Sequence, residues 1–552
     1  MDRNLFRFIL RYSKWEQLRI APLVLGTMVV YYFSLDLPKI IINEAIQGRR
    51  FPSPEATAPI FKMVVALPQF LGGATLRLFD GIPLERIPYL FALSLVFVGL
   101  IVLNGALKFQ INTMKGWMGE RMLRRLRYVL LDLVLRFPLA RFRRVKSAEL
   151  ATMIKDEVEP LGGFIGEAFI SPLFLGGQAL TAVVFILYQH VSLGLIAVGM
   201  VAVQAIIVPR MRRRLLILAR QRQLQARQLA GRIGECVDGV VEIHAHDTSN
   251  YERAELAARL GLLFRTRFDY YQRKFLTKFI NNLLAQVTPF LFYTIGGYLV
   301  IVGRLDIGAL VAVIAAYKDL PDPVKQLIDW DQERLDVAIK YTQVVEQFTI
   351  EDIIPPETQR LIPTPELPRH GNIVASNLTL NDDSGAPVLN GVSFEVPLDQ
   401  HVAILGDHAS GRTELAQLLA RLVAPTSGAI EVGGVDLVRA PEAVTGRVTG
   451  YVGAVSYLFP RSVRENLVYA LKHYPVREPE YLDEDRTEHE FHVREATRSG
   501  NTVLDINADW IDYQSADASN AQEMELRIHE VLATVELEET MFELGLRSTI
   551  DL

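Results

Sequence analysis

The run Val402-Ala-Ile-Leu-Gly-Asp-His-Ala-Ser-Gly-Arg-Thr413, continuing into Glu414-Leu-Ala-Gln-Leu-Leu-Ala-Arg421, decides how the chain is read. Its apolar start, 402–405, predicts a short buried strand, and the leucine spacing after Thr413 predicts a helix. Between them stands G-x-x-x-x-G-R-T, one residue away from the phosphate-loop pattern G-x-x-x-x-G-K-[S/T]. Glycines in such a loop let successive backbone N–H groups curl round an anion, and the helix N-terminus adds positive potential. The candidate nucleotide-binding residues are therefore Gly406, Asp407, His408, Ala409, Ser410, Gly411, Arg412 and Thr413. The Thr413 hydroxyl is the candidate ligand for Mg²⁺. Arg412 stands where a lysine is expected, a planar fork in place of a compact point charge. No side chain is assigned a catalytic role.

The flanks extend the reading. Upstream lies Ala386-Pro-Val-Leu-Asn-Gly-Val-Ser-Phe394; downstream lie Pro425-Thr-Ser-Gly-Ala-Ile-Glu-Val-Gly-Gly-Val-Asp-Leu437 and Phe459-Pro-Arg-Ser-Val-Arg-Glu-Asn-Leu467. In this order and spacing they resemble the nucleotide-binding domain of exporter-type ABC transporters, and the resemblance covers the whole chain. It implies an α-helical membrane domain of six transmembrane helices followed by a partial α/β P-loop nucleotide-binding domain. It implies ATP and Mg²⁺ as ligands. It also implies a half-transporter that moves a substrate across a membrane with a partner: a second half-transporter, in a homo- or heterodimer, or a split C-terminal half.

The nucleotide contacts depart from the family pattern. The aromatic that stacks on adenine falls on Asp382, and the glutamine after Tyr451 that reaches metal and water falls on Ala454. Arg464-Glu-Asn466 is retained. The last residues, 543–552, resemble the segment before the family's signature helix, so the signature motif, catalytic glutamate and switch histidine are expected outside this chain. The expectation is an ABC-type ATPase relative that binds ATP and Mg²⁺ feebly and does not hydrolyse ATP by itself. The alternative is a catalytically silent membrane-bound nucleotide-binding-like protein, regulatory or a remnant. A soluble P-loop kinase or GTPase on an anchor is disfavoured by the span count.

Composition agrees with a membrane domain. Half of the 552 residues are hydrophobic and mean hydropathy is +0.19, more apolar than ordinary soluble domains. A net charge of −5 says little about partners, and no nucleic acid is expected among them. The single cysteine, Cys236, excludes an intramolecular disulfide and any multi-cysteine metal site.

Along the chain, residues 1–20 form a basic amphipathic segment suited to a membrane surface. The membrane domain occupies 21–350, with spans near 21–42, 88–111, 164–189, 191–210, 279–302 and 306–328. Long basic segments follow the second and fourth spans and tight turns follow the third and fifth. The positive-inside rule then puts both termini and the nucleotide domain in the cytoplasm, at a bacterial inner membrane. Residues 43–87 fall outside, where the apolar piece 60–68 predicts an interfacial helix, or else a simple loop insertion. Stretches 137–156 and 235–246 resemble the family's two coupling segments, although arginines there also suit a solvated helix face. Residues 351–371 are a proline-rich linker and 372–552 the partial nucleotide domain, with an acidic insertion at about 471–526 expected to be disordered or solvated. Three ionisable residues in the sixth span, Lys318, Asp319 and Asp322, are substrate-path candidates, because charge at that depth is costly unless it faces a wet cavity.

Overall fold

A computed structural model describes residues 2, 4–53, 56–60, 63–66, 75–79, 81–145, 147–350, 352–359, 370–382, 384–407, 409–454 and 456–547. Residues 351 and 360–369 of the predicted linker lie outside the described residues, as does His408. The chain divides into two compact units: Asp2–Glu120 with Gly162–Ile339, and Arg121–Leu161 with Lys340–Leu552.

The first helix, α1 (Leu5–Ile40), starts where the Asn4 side chain accepts hydrogen bonds from the N–H groups of Phe6 and Arg7. It is unbroken, so the basic segment and the first span are one helix, which a π-helical turn extends over Ile41–Ile46. The segment that follows then corrects the sequence expectation. Strand β1 (Ala58–Ile60) pairs antiparallel with β4 (Ile82–Leu84), and β2 (Met63–Ala66) pairs with β3 (Thr75–Phe79). Where an interfacial helix was expected, β-branched Val64 and Val65 find a partner strand instead.

Helix α2 (Arg86–Leu135) carries the second span and its basic extension in one piece. Two short helices follow, α3 (Leu139–Arg144) and α4 (Ser147–Thr152), within the first predicted coupling stretch. Helices α5 (Glu159–Glu167), α6 (Ile170–Gln189) and α7 (Val191–Asp238) come next. The six-residue α8 (Val240–Ala245), within the second predicted coupling stretch, leads the chain into α9 (Ser249–Leu291). A π turn leads into α10 (Gly297–Ile301).

Among the described residues five helical segments are long and apolar enough to cross a bilayer: Leu5–Ile46, Arg86–Leu135, Ile170–Gln189, Val191–Asp238 and Ser249–Ile301. The sixth predicted span is broken. Its apolar part, α11 (Ile307–Lys318), has 12 residues, about 18 Å against a hydrocarbon core of about 30 Å. The chain then breaks at Asp319-Leu320 and resumes as the polar α12 (Pro321–Phe348). Pro321 has no N–H to continue the ladder, and it biases the residue before it away from helix.

The membrane unit packs α1, α6, α7, α11 and the π turn around Tyr31, Phe185, Leu193, Phe292 and Tyr317, all buried. Thr288 Oγ1 donates to the Tyr317 hydroxyl at 2.7 Å inside this core. Helices α2 and α5 cross at backbone distance. A Cβ on Gly166 would lie 2.6 Å from the Lys115 carbonyl oxygen, and one on Gly119 2.8 Å from that of Gly162. Gly166→Val is therefore expected to destabilise the membrane unit by about 1–3 kcal/mol, since backbone must shift to admit the side chain. Thermal unfolding in lipid checks this; an unchanged midpoint contradicts it.

In the second unit, β5 (Asn372–Asn381) and β6 (Pro387–Pro397) pair antiparallel. Helix α13 (Arg412–Leu419) follows the phosphate loop. Strands β7 (Ser427–Val432) and β8 (Val435–Asp436) complete an antiparallel sheet in the order β6-β5-β7-β8. Leu415 and Leu418 of α13 pack against Leu378, Leu389 and Ile430, which is the packing that fixes the loop's end. Residues 402–405 form no strand, and Leu405 is 90% exposed. The expected burial fails because, among the described residues, no strand pairs with this segment.

Helices α14 (Glu442–Val448) and α15 (Val463–Leu467) follow. The insertion is folded, against expectation. Strand β9 (Lys472–Arg477) pairs with β10 (Asp509–Ile511), and α16 (Asp483–Ser499) lies between them in the chain. Helices α17 (Ala521–Thr534) and α18 (Glu538–Arg547) end the described residues. Val468, Ile511, Ala518 and Met524 make a small core of their own. The stronger reason is electrostatic. Arg121 on α2 donates from Nε and Nη2 to both carboxylate oxygens of Glu495 on α16, at 2.6 and 2.8 Å. Arg125 adds a bond to the Arg498 carbonyl oxygen at 3.1 Å. Glu495, an acidic residue that reads as solvated, is thus held by the basic α2 extension.

Candidate functional site

The phosphate loop closes on itself by local geometry. The Ser410 N–H donates to the Asp407 carbonyl oxygen at 3.2 Å, and the Leu415 N–H to that of Gly411 at 2.8 Å. Ala409 and Gly411 take φ values of 67° and 82°. A Cβ on Gly411 would meet Leu389 Cδ2 at 2.7 Å, and one on Gly406 would meet Ser410 Oγ at 2.3 Å, so both positions need glycine. The loop thus delivers Gly406, Asp407, Ala409, Ser410, Gly411, Arg412 and Thr413 to one turn at the start of α13. The first N–H groups of that helix have no acceptor within it. Thr413 is exposed there. Arg412 turns back: its Nη1 donates to the Gly406 carbonyl oxygen at 3.2 Å.

This geometry fits a phosphate, through the glycine-lined curl and the helix N-terminus, with the Thr413 hydroxyl able to hold Mg²⁺. At the hairpin position where the family pattern has an aromatic to stack on a purine stands Asp382. Asp382 is the turn-former of the β5–β6 hairpin, accepting from the Ser384 hydroxyl at 2.6 Å, the Ser384 N–H at 2.8 Å and the Ala386 N–H at 2.9 Å. These bonds, that of the Ser384 hydroxyl foremost, hold its carboxyl below the usual carboxylate range. Ala454 lies in a segment without regular structure. Arg464-Glu-Asn466 is structural here: Ser462 and Glu465 form a capping box on α15, and the Asn466 side chain bonds the Phe459 backbone in both directions.

The predicted coupling stretch 137–156 sits in the same unit as this loop. Just before it, the Arg136 Nε donates to the Ile354 carbonyl oxygen at 2.9 Å, and Phe137 packs on Phe348 with ring centroids 6.0 Å apart. Gln359 bonds both the Leu135 carbonyl oxygen and Glu442.

The membrane unit holds a cavity of about 520 Å³ between α1, α2, α6 and the α11–α12 break. Of the three substrate-path candidates, Asp319 and Asp322 line it. Lys318 does not line it and is exposed; one residue along a helix turns the side chain about 100° away. The Tyr31 hydroxyl donates to Asp319 Oδ2 at 3.4 Å. Asn104, Lys108 and Gln178 also face the cavity, and sequence reading missed them. The missed signal was Lys108, a lysine within a helix that is apolar on both sides of it.

Family profiles match both halves of the chain: the ABC transporter transmembrane region over residues 65–317 and the ABC transporter domain over 389–542. The chain belongs to the exporter-type ABC transporters. It is a membrane protein, and its matched nucleotide domain implies ATP, ordinarily with Mg²⁺. Among its curated relatives is the Bacillus subtilis ATP-binding/permease protein YgaD, whose name provisionally assigns it to multidrug export. Identity there is 22% over 377 residues, covering 68% of this chain and 64% of the relative. The ATP-dependent lipid A-core flippase of Bordetella avium is 24% identical over 362 residues, 64% of this chain and 59% of the relative. The mesentericin Y105 transport/processing ATP-binding protein of Leuconostoc mesenteroides is 20% identical over 386 residues, covering 69% and 52%. The chain thus matches between half and two thirds of the length of these relatives.

Proposed function

We propose that this ABC transporter chain is one half of an exporter-like transporter. ATP and Mg²⁺ are held at 406–413, and substrate passes by the cavity that Asp319 and Asp322 line. The observation that carries this reading is that polar cavity, set among spanning helices of a chain that also bears a phosphate loop. Backbone amides at the start of α13 receive phosphate, and Thr413 positions the metal. The bound nucleotide supplies the free energy that favours one state of the membrane domain over another. The two coupling stretches, 137–156 and 235–246, carry that bias to the spans. A second half-transporter, identical or not, or a split C-terminal half completes the shared interface. The chain resides in a bacterial inner membrane with both termini and the nucleotide domain in the cytoplasm.

Alone, the chain binds ATP feebly and does not turn it over. Phosphoryl transfer needs positioned cations and an oriented water. Here Arg412 bonds its own loop, Ala454 has no amide to orient water and Asp382 cannot stack a base. The same facts favour the second reading, a catalytically silent nucleotide-binding-like subunit. The test is ATPase activity of the purified full chain in lipid, beside an Arg412→Ala, Thr413→Ala double variant. No turnover by either is expected. Turnover of the native chain that the double variant loses would overturn this account of the site.

A further inference from the structure

Resting on the transport reading above, we propose that the membrane cavity is a binding site for organic cations, an apolar body bearing a protonated amine. Its charge balance decides the sign. Two carboxylates, Asp319 and Asp322, and one ammonium, Lys108, line it. The ammonium is already drawn aside, 5.6 Å over the ring of Phe174. Asp319 receives a long bond from the Tyr31 hydroxyl, at 3.4 Å, which leaves most of its acceptor capacity open.

A second observation points to the same chemistry. The Asn104 side-chain oxygen is buried and accepts no hydrogen bond among the described residues, and Asn104 lines this cavity. A buried acceptor without a donor is costly, and rotation of the Asn104 side chain into the cavity would let a ligand N–H satisfy it. Phe97, Ile101 and Leu175 give the wall an apolar part, beside Ser34, Gln178 and Gln326, that suits the body of an amphipath. An anion would instead face two carboxylates of its own sign, which repel it.

The experiment uses the full chain in lipid nanodiscs and equilibrium binding of two matched probes, phenylbutylammonium and phenylbutyrate, with empty nanodiscs subtracted. The ammonium should bind and the carboxylate should not. Asp319→Asn with Asp322→Asn should weaken ammonium binding about tenfold or more. Lys108→Gln should strengthen it, a change of opposite sign that misfolding would not produce. Equal or tighter binding of the carboxylate, or ammonium binding indifferent to these substitutions, would overturn the proposal. Binding here needs no ATP, so failures are separable. A chain that binds the ammonium but never responds to ATP keeps the site and loses the transport reading. An ATP-responsive chain that ignores the ammonium loses only the cation assignment.

Discussion

Glu495→Ala is expected to release the inserted subdomain from α2, at a cost on the order of 3 kcal/mol, because it strips a carboxylate from a largely buried guanidinium. The side chains of Arg121 and Glu495 are only 18% and 7% exposed, so solvent screens the pair weakly. Hydrogen exchange should rise across α16 and β9–β10 while the β5–β7 sheet stays protected. Charge exchange, Arg121→Glu with Glu495→Arg, should recover part of the loss that each single change causes. The pair also sets a pH dependence. The Arg121 hydrogen bonds, opposed by desolvation, hold the Glu495 carboxyl below the usual glutamate range. A carboxyl depressed in the folded state contributes stability that is complete above its unfolded range and lost as pH falls through its folded value. Docking of α16 should therefore loosen only on acidification below the ordinary glutamate range. Exchange in α16 unchanged by Glu495→Ala would refute the clamp.

Arg412→Lys should raise affinity for ATP with Mg²⁺ about tenfold, near 1.4 kcal/mol. The arginine spends its fork on the Gly406 carbonyl oxygen, whereas a slender ammonium can follow the loop into the phosphates. Thr413→Ala in the same background should remove the Mg²⁺ dependence and leave residual phosphate contact. Titration of the full chain in lipid with a fluorescent ATP analogue reads both. An affinity unchanged by Arg412→Lys would show that Arg412 already serves the phosphates.

The long helices were legible because hydropathy and charge sit on the same segments. Basic runs continue spans two and four without a glycine or proline that stops them, and α2 and α7 are single helices of 50 and 48 residues. Pro209 lies inside α7 without ending it. The phosphate loop was legible at its glycines, which a Cβ would block, and not at its strand, whose apolar residues stay exposed. Strands β2 and β3 were missed because a piece as short as 60–68 has no decisive period. The insertion was missed because its order depends on Arg121 meeting Glu495, 374 positions away. No local pattern encodes such a contact. The cavity was half legible: Asp319 and Asp322 announce themselves by cost in a span, but Lys108 and Asn104 join them only through packing.

The central claim is that nucleotide at 406–413 changes the state of the membrane cavity. Its most direct test places one thiol in the cavity wall, Ala315→Cys, with Cys236→Ser removing the native one. Native membranes are used, where the chain keeps its partner, and the rate of reaction with a small water-soluble thiol reagent is measured with and without ATP and Mg²⁺. The account predicts a severalfold change in rate, about 1 kcal/mol or more of coupling, that Thr413→Ala abolishes. Identical rates at saturating ATP would contradict it.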